Sequence, residues 1–110
     1  MSKDKEESRK ITAFLIYPFG HPQFQNSERL KATIKILYYR GYAVVVPPTA
    51  IVSSGFWSFD LSILKALIES CSVAVLCYED FTTERMCQEM LYARSSGKQI
   101  VRIDIKKAGD

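Results

Sequence analysis

The sequence predicts an α/β protein: a three-layer α/β/α sandwich with a parallel sheet of four to five strands. Three observations favour this fold class. Short runs of aliphatic and β-branched residues alternate along the chain with amphipathic stretches long enough for helices of three to four turns. Proline and glycine clusters separate the two kinds of segment. The chain has 110 residues, 47% of them hydrophobic, which suits one core. Such alternation is typical of parallel strands joined by right-handed crossovers.

The first strand and helix are predicted at the start of the apolar sequence. Residues 11–17 form an apolar run that ends at a Pro-Phe-Gly turn, as expected for a strand buried on both faces. Asn26 or Ser27 supplies a side-chain acceptor that can cap a helix. This helix should run to about Arg40, because Gly41 follows where a left-handed C-terminal cap belongs.

The remaining elements follow from the same signals and complete the fold. We predict a strand at 43–46, a helix at 58–69, a strand at 73–78, a helix at 83–96 and a strand at 100–105. The expected strand order is 2-1-3-4, a flavodoxin-like or Rossmann-like arrangement. The polar residues 1–10 should be a disordered lead-in, and 11–110 a single domain.

Composition argues against several classes of function. The net charge of +3 comes from 15 basic and 12 acidic residues that are scattered along the chain, whereas nucleic-acid binding usually needs a basic stripe. Cys71, Cys77 and Cys87 form no CxxC pair, so neither a disulfide framework nor a metal site is expected. The apolar runs are too short to span a bilayer. We therefore expect a soluble cytoplasmic protein with no metal and no cofactor.

Two carboxylates near the carboxyl edge of the predicted sheet are candidates for chemistry. On a helical wheel Glu89 borders the stripe formed by Met86 and Ala93, in the first two turns of its helix. Asp60 stands at the start of the preceding helix. In glycosyl transfer one carboxylate attacks or stabilises the anomeric carbon while an acid protonates the leaving group. The alternative is that Asp60 complements a helix dipole and Glu89 is an ordinary surface carboxylate.

The loops that follow the strands hold the candidate ligand-binding residues, because open α/β sheets bind ligands at this edge. Loop aromatics could stack on a base, although such residues can equally close a small core. The chain has no GxGxxG or P-loop motif, so a phosphate would have to bind at a helix N-terminus. The candidates are Phe19, Gly20, His21, Trp57, Thr83 and Arg85.

Three segments resemble the nucleoside 2-deoxyribosyltransferase-like superfamily, in particular its small bacterial and phage members. They read YPFGHPQFQNSERLKATIKILYYRGYAVVVPP, WSFDLSILKALIESCSVAVLCY and MCQEMLYARSSGKQI, and the likeness covers 12–104 in order. It implies that Glu89 matches the catalytic glutamate, Asp60 the acidic residue near the leaving base, and Tyr17 the aromatic that positions the nucleophile. The implied partner is a nucleoside or nucleotide. Because a four-stranded domain leaves its site loops open, we also expect a homodimer or higher oligomer.

The chain departs from that family at two places, and a second resemblance stays open. Ser72 stands where the family usually has Asp, and 83–85 replaces a Ser-x-Gly turn. Both changes favour a binding or assembly module without chemistry. The run SILKALIESCSVAVLCYEDFTTERMCQE also resembles the later half of Toll/interleukin-1 receptor (TIR) domains, with Met86 in place of a tryptophan. In enzymatic members of that family the matching glutamate cleaves the nicotinamide–ribose bond, and other members only mediate assembly.

Overall fold

A four-stranded, all-parallel sheet of order β2-β1-β3-β4 forms the centre of the molecule in a computed structural model. The structure describes residues 10–46 and 61–105. The apolar runs become strands because the two central strands each pair with a neighbour on both sides, which gives their buried backbone groups hydrogen-bond partners. This confirms the predicted fold class and strand order. The strands are β1 (Ile11–Ile16), β2 (Tyr42–Val45), β3 (Val73–Cys77) and β4 (Gln99–Ile103).

Helices cover both faces of this sheet. Side chains alternate along β1, so that Ala13 and Leu15 pack on one side and Phe14 and Ile16 on the other. The first side is covered by α1, and the second by α2 and α3. Two core layers therefore share one sheet. The helices are α1 (Ser27–Tyr39), α2 (Leu61–Ser70) and α3 (Glu84–Ser95), with short 3-10 helices at Pro22–Phe24 and Glu79–Phe81.

Local capping signals place the helix ends within a residue or two of the predictions. Oδ1 of Asn26 accepts a hydrogen bond from the backbone N–H two residues later, at 2.8 Å. Oγ1 of Thr83 accepts one from the N–H three residues later, at 3.2 Å. Gly41 and Gly97 end α1 and α3 with φ of +102° and +76°, values that favour glycine. The predicted start of the second helix, at residue 58, and the lead-in before Lys10 lie outside the described residues.

The topology leaves a crevice at the carboxyl edge of the sheet. The chain leaves β1 toward the α1 face, whereas it leaves the adjacent strand β3 toward the α3 face. The loops 17–26 and 78–83 meet at this edge through ring contacts such as His21–Phe81, and together with the start of α3 they border what we call the switch-point crevice. No helix within the described ranges is long and apolar enough to cross a membrane. In the same ranges no His, Cys, Asp and Glu side chains cluster as metal ligands would.

Candidate functional site

Glu89 is a buried carboxylate in the second turn of α3. Its side chain is 1% exposed, and it lies on the same face of the helix as the buried residues Met86 and Ala93. The helical wheel predicted a position at the border of the apolar stripe, and the structure places the side chain inside the protein. A buried carboxylate needs a charge partner or a proton, because transfer of the group from water into the protein interior disfavours its ionised form.

Arg85, one helical turn earlier, provides the charge partner. Its Nε lies 3.4 Å from Oε2 of Glu89, and its side chain is 11% exposed. This separation exceeds that of a good charge-assisted hydrogen bond. Within the described chain neither oxygen of Glu89 has a hydrogen-bond partner of normal geometry. The pair is therefore held by charge and packing.

The two groups shift each other's pKa and are both shifted by burial. Burial raises the pKa of Glu89 to about 7, although the nearby Arg85 cation acts in the opposite direction. Burial likewise lowers the pKa of Arg85, and the Glu89 carboxylate counteracts that change. At neutral pH Glu89 is consequently present in both its protonated and its ionised form. A carboxyl poised in this way is suited to acid, base or nucleophilic roles.

The Arg85 side chain also reaches the opposite wall of the switch-point crevice. Its guanidinium carbon lies 5.8 Å from the ring centroid of Phe19, in the loop after β1. Arg85 belongs to the helix after β3, so this contact crosses the crevice. Thr83 caps the same helix, and Gly20, with φ of +87°, forms the turn beside Phe19. The predicted residues Phe19, Gly20, Thr83 and Arg85 thus lie at the same edge of the sheet, and Glu89 is buried one helical turn after Arg85.

An aromatic cluster fills the α1 side of this edge. Tyr17 packs against Phe19, Phe24 and Tyr78, with ring centroids 4.8 to 5.6 Å apart. His21 stacks edge-on against Phe24 and Phe81. The cluster is continuous with the core under α1, so it closes the core as well as the crevice.

Tyr17 is placed apart from Glu89. It is 1% exposed and belongs to the core on the α1 side, whereas Glu89 lies on α3 across the sheet. No hydrogen bond joins the two side chains. Burial raises the pKa of the Tyr17 phenol, which therefore stays protonated. The resemblance implies that Tyr17 positions the nucleophile. In this arrangement Tyr17 would have to do so through packing contacts.

The Tyr17→Phe variant is expected to be more stable than the natural protein by about 1 kcal/mol. The Tyr17 hydroxyl is buried without a hydrogen-bond partner in the part of the chain that the structure describes, so its removal ends a desolvation penalty. Urea unfolding measures the difference. The matched control is Tyr78→Phe, whose hydroxyl lies 3.1 Å from Oγ1 of Thr33, and this variant should lose about 1 kcal/mol. A destabilised Tyr17→Phe protein would contradict the expectation.

Beside the crevice, an open cleft of about 590 Å³ lies at the carboxyl ends of β3 and β4. Its lining combines the aromatic rings of Tyr78 and Phe81 with charged side chains. The volume falls within the range of small-molecule sites, and the mixture of rings and polar groups is typical of them. The charged lining residues are Arg29, Glu79, Asp80, Arg102 and Asp104.

Ion pairs and ring contacts hold the cations of the cleft. Nε of Arg102 donates a hydrogen bond of 3.1 Å to Oε2 of Glu79. The Arg29 guanidinium lies 5.0 Å from the ring centroid of Phe24 and 6.0 Å from that of Tyr78. Arg29 therefore connects the aromatic cluster with the cleft.

Tyr78 adopts a strained backbone conformation at the junction of crevice and cleft. Among the described residues other than glycine, it is the one with positive φ, at φ 59° and ψ 51°. A non-glycine residue in this region costs about 1 kcal/mol. The conformation ends β3 sharply and turns the chain into the 3-10 helix Glu79–Phe81. Such strain is often found where a side chain is held for function.

None of the residues that line the cleft was a predicted site residue, and two predicted site residues lie outside the described part of the chain. Trp57 and Asp60 lie outside the described residues. Tyr78, Phe81 and Arg29 were missed as ligand-binding candidates. The position of Tyr78 and Phe81 directly after a predicted strand was the available signal. Arg29 was detectable as a cation in the first turn of a helix at the same edge.

Comparisons of the chain with protein-family models, with curated proteins and with solved structures found no match. The two family resemblances therefore remain predictions from the sequence.

Proposed function

We propose that this domain binds a nucleoside or nucleotide at the carboxyl edge of its sheet, and that Glu89 acts on the N-glycosidic bond of that ligand by hydrolysis or deoxyribosyl transfer. The observation that carries the proposal is the buried Glu89 carboxyl, whose pKa is raised to about 7 and whose charge partner Arg85 contacts Phe19 of the aromatic cluster. The cytoplasm is the proposed location, with a homodimer or higher oligomer as the assembly.

The aromatic residues support binding of a base. The rings of Tyr78 and Phe81 line the cleft, and each provides a flat apolar surface on which a purine or pyrimidine can stack. The polar groups of the ligand need partners at the rim of the same cavity. Gln23, Arg29 and Asp80 provide donors and acceptors there for sugar hydroxyls and base edges. The ring faces suit the base of a nucleoside, and the hydrogen-bonding groups beside them suit its sugar.

The chemistry assigned to Glu89 uses its ionised form. The carboxylate attacks C1′, or stabilises positive charge there, while the base leaves with the electron pair of the C1′–N bond and takes up a proton. Water, or a second base, then replaces the carboxylate at C1′. Arg85 favours ionisation because its cation lowers the pKa of Glu89 against the effect of burial. The resemblance implies Asp60 as the acid near the base.

A second candidate is a binding or assembly module without chemistry. The Arg85–Glu89 ion pair favours it, because a carboxylate that already has an internal partner can be purely structural. A TIR-like function belongs to the same alternative, either as assembly or as cleavage of NAD. Ligand binding separates the assembly module and the TIR-like function from the leading proposal, and turnover separates a binding module from it.

Thermal unfolding with a panel of nucleosides, nucleoside monophosphates and NAD tests the proposed function. A nucleoside at about 100 times its dissociation constant should stabilise the protein by roughly 2.7 kcal/mol, or about 10 °C in a domain of this size. Phe81→Ala, which removes a ring from the cleft, should lose this response. Tyr39→Ala, at an exposed position at the end of α1, should keep it.

Two results would overturn the proposal. A panel in which no nucleoside or nucleotide raises the unfolding temperature would favour the assembly module. Stabilisation by NAD alone would favour the TIR-like alternative.

A further inference from the structure

The two described parts of the chain differ in charge. Residues 10–46 contain five Lys and Arg side chains and one carboxylate, Glu28, whereas 61–105 contain five such cations and six carboxylates. Charges that alternate along the sequence as a whole are therefore unevenly distributed between the two parts. A basic surface also requires that the cations of the first part meet on one face.

The outward side of α1 brings two lysines and two tyrosines onto one face. At about 100° per residue, Lys31, Lys35, Tyr38 and Tyr39 fall within about 100° of one another around the helix. All four side chains are exposed, and the buried residues of α1 point the opposite way, toward the sheet. We call these four residues, together with Lys10, the α1 outer face.

The tyrosines of this face present a flat apolar surface next to a cation. The side chain of Tyr39 is 74% exposed, and Tyr38 lies edge-on to it, with the ring centroids 6.2 Å apart. Nζ of Lys10 lies 4.3 Å from the centroid of the Tyr38 ring. An exposed ring with cations beside it is the arrangement that stacks on a base and neutralises the adjoining phosphate.

Glu28 also lies on the outward side of α1 but leaves the face basic. Its Oε2 is 3.5 Å from Nζ of Lys31, and the two side chains are 76% and 71% exposed. Ion pairs that are solvated to this degree contribute little stability, so their members exchange readily between partners. A phosphate group can therefore replace Glu28 as the partner of Lys31.

We propose that the α1 outer face binds single-stranded nucleic acid with little regard to sequence, at a site separate from the nucleoside site at the carboxyl edge. The lysines neutralise phosphates, and the ring of Tyr39 stacks on an unpaired base. A duplex hides the faces of its bases, so only an unpaired strand uses the ring. Three lysines and one strongly exposed ring give a weak site, with a Kd of about 10⁻⁶ to 10⁻⁴ M at physiological salt.

The chemistry of this face fits a nucleic acid better than other anionic partners. A helix that binds a lipid surface inserts aliphatic side chains into it, but the aliphatic residues of α1 pack against the core. An acidic peptide would pair with the lysines and leave the ring of Tyr39 without a flat partner. The aliphatic residues concerned are Leu30, Ile34, Ile36 and Leu37.

Fluorescence anisotropy of a labelled oligothymidine of about 16 nucleotides, titrated with the full chain, tests the proposal. Binding should weaken by about 20-fold between about 50 and 200 mM salt, the loss expected for three phosphate contacts on a single strand. Tyr39→Ala should weaken binding of this oligonucleotide by at least about 5-fold, as for the loss of one stacked ring. The same variant should bind the oligothymidine–oligoadenosine duplex as tightly as the natural protein does.

Charge reversal at matched positions separates the face from the net charge of the protein. Lys35→Glu should weaken binding of the single strand by at least about 5-fold, because it removes one phosphate contact and adds a repulsion. Lys65→Glu makes the same change in net charge at an exposed position of α2, which covers the other side of the sheet. This control should bind as the natural protein does.

Phe81→Ala keeps the test independent of the proposed function. This variant should lose the thermal response to nucleosides and still bind the oligonucleotide, whereas Tyr39→Ala should show the reverse. Weaker binding of the oligonucleotide by Phe81→Ala, with no effect of Tyr39→Ala, would place the strand in the cleft and overturn the proposal.

Three further results would overturn the proposal. The first is a Kd above about 10⁻⁴ M for the oligonucleotide at about 50 mM salt. The second is an equal loss of binding in Lys35→Glu and Lys65→Glu, which would reduce the effect to net charge. The third is binding to vesicles of phosphatidylserine and phosphatidylcholine without binding to the oligonucleotide, which would make a lipid surface the partner.

Discussion

Glu89→Gln is expected to lower kcat/KM for cleavage of a nucleoside by about 10²- to 10⁴-fold, the range for loss of a group that acts in the transition state. Glutamine has nearly the same shape as glutamate but can neither attack C1′ nor carry the negative charge that stabilises it. Release of free base from a nucleoside that binds in the thermal panel gives the rate.

A loss of activity is informative only if the fold is intact. The side chain of Glu89 is buried, so the variant needs a circular dichroism spectrum and an unfolding curve beside its rate. Glu84→Gln is the control, since Glu84 is exposed on the same helix and lies outside the proposed site. Its rate should equal that of the natural protein. A Glu89→Gln protein that retained activity within about 2-fold would remove Glu89 from the mechanism.

The second large effect is a loss of stability as pH rises through the range from about 4.5 to about 7. Burial raises the pKa of Glu89 in the folded protein from an ordinary value of 4.5 to about 7, so the folded state holds this proton more tightly than the unfolded state does. Below pH 4.5 both states are protonated, and the stabilising contribution is complete. It declines as pH rises and is lost above pH 7.

The size of this effect follows from the same difference in pKa. Each unit of pKa corresponds to about 1.4 kcal/mol, so the free energy of unfolding should fall by about 3 kcal/mol across the window. Urea unfolding at several pH values measures it. Glu89→Gln cannot ionise at this position and should lose this part of the pH dependence. If both proteins showed the same slope, Glu89 would not be the group responsible.

Both effects have one physical origin. The apolar layer between α3 and the sheet makes the ionised carboxylate costly, and the same cost raises the pKa of Glu89 toward neutral pH, where the proposed chemistry would use it. Arg85 reduces this cost, because its guanidinium lies 3.4 Å from the carboxylate. A buried carboxylate at this position stabilises the fold less than an apolar residue would. Such a loss of stability is common where proteins hold reactive groups.

Much of the fold was predictable because its signals are local. Apolar runs ended by proline or glycine marked the strands, since these residues interrupt a sheet wherever they occur. Asn26 and Gly41 marked the ends of α1 because caps act within a few residues of the helix terminus. Alternation of strands and helices then restricted the topology to a parallel sheet, and the structure confirmed the order 2-1-3-4.

The site was predictable only in part. The position of Glu89 near the carboxyl edge followed from the order of strand, loop and helix. Its burial did not, because a helical wheel gives the direction of a side chain and not the depth of the layer that covers it. The open cleft was missed for a related reason: it lies where the ends of β3 and β4 and the start of α1 meet in space.

By itself the sequence determined the elements, their order and the edge at which a site would lie, because periodicity, turns and caps are short-range properties. Only the tertiary structure decided which side chains meet at that edge. It placed Arg85 against both Glu89 and Phe19, and Tyr78 against Thr33, 45 positions away in the chain. Such contacts depend on the packing of elements and on the reach of long side chains, which no local pattern records.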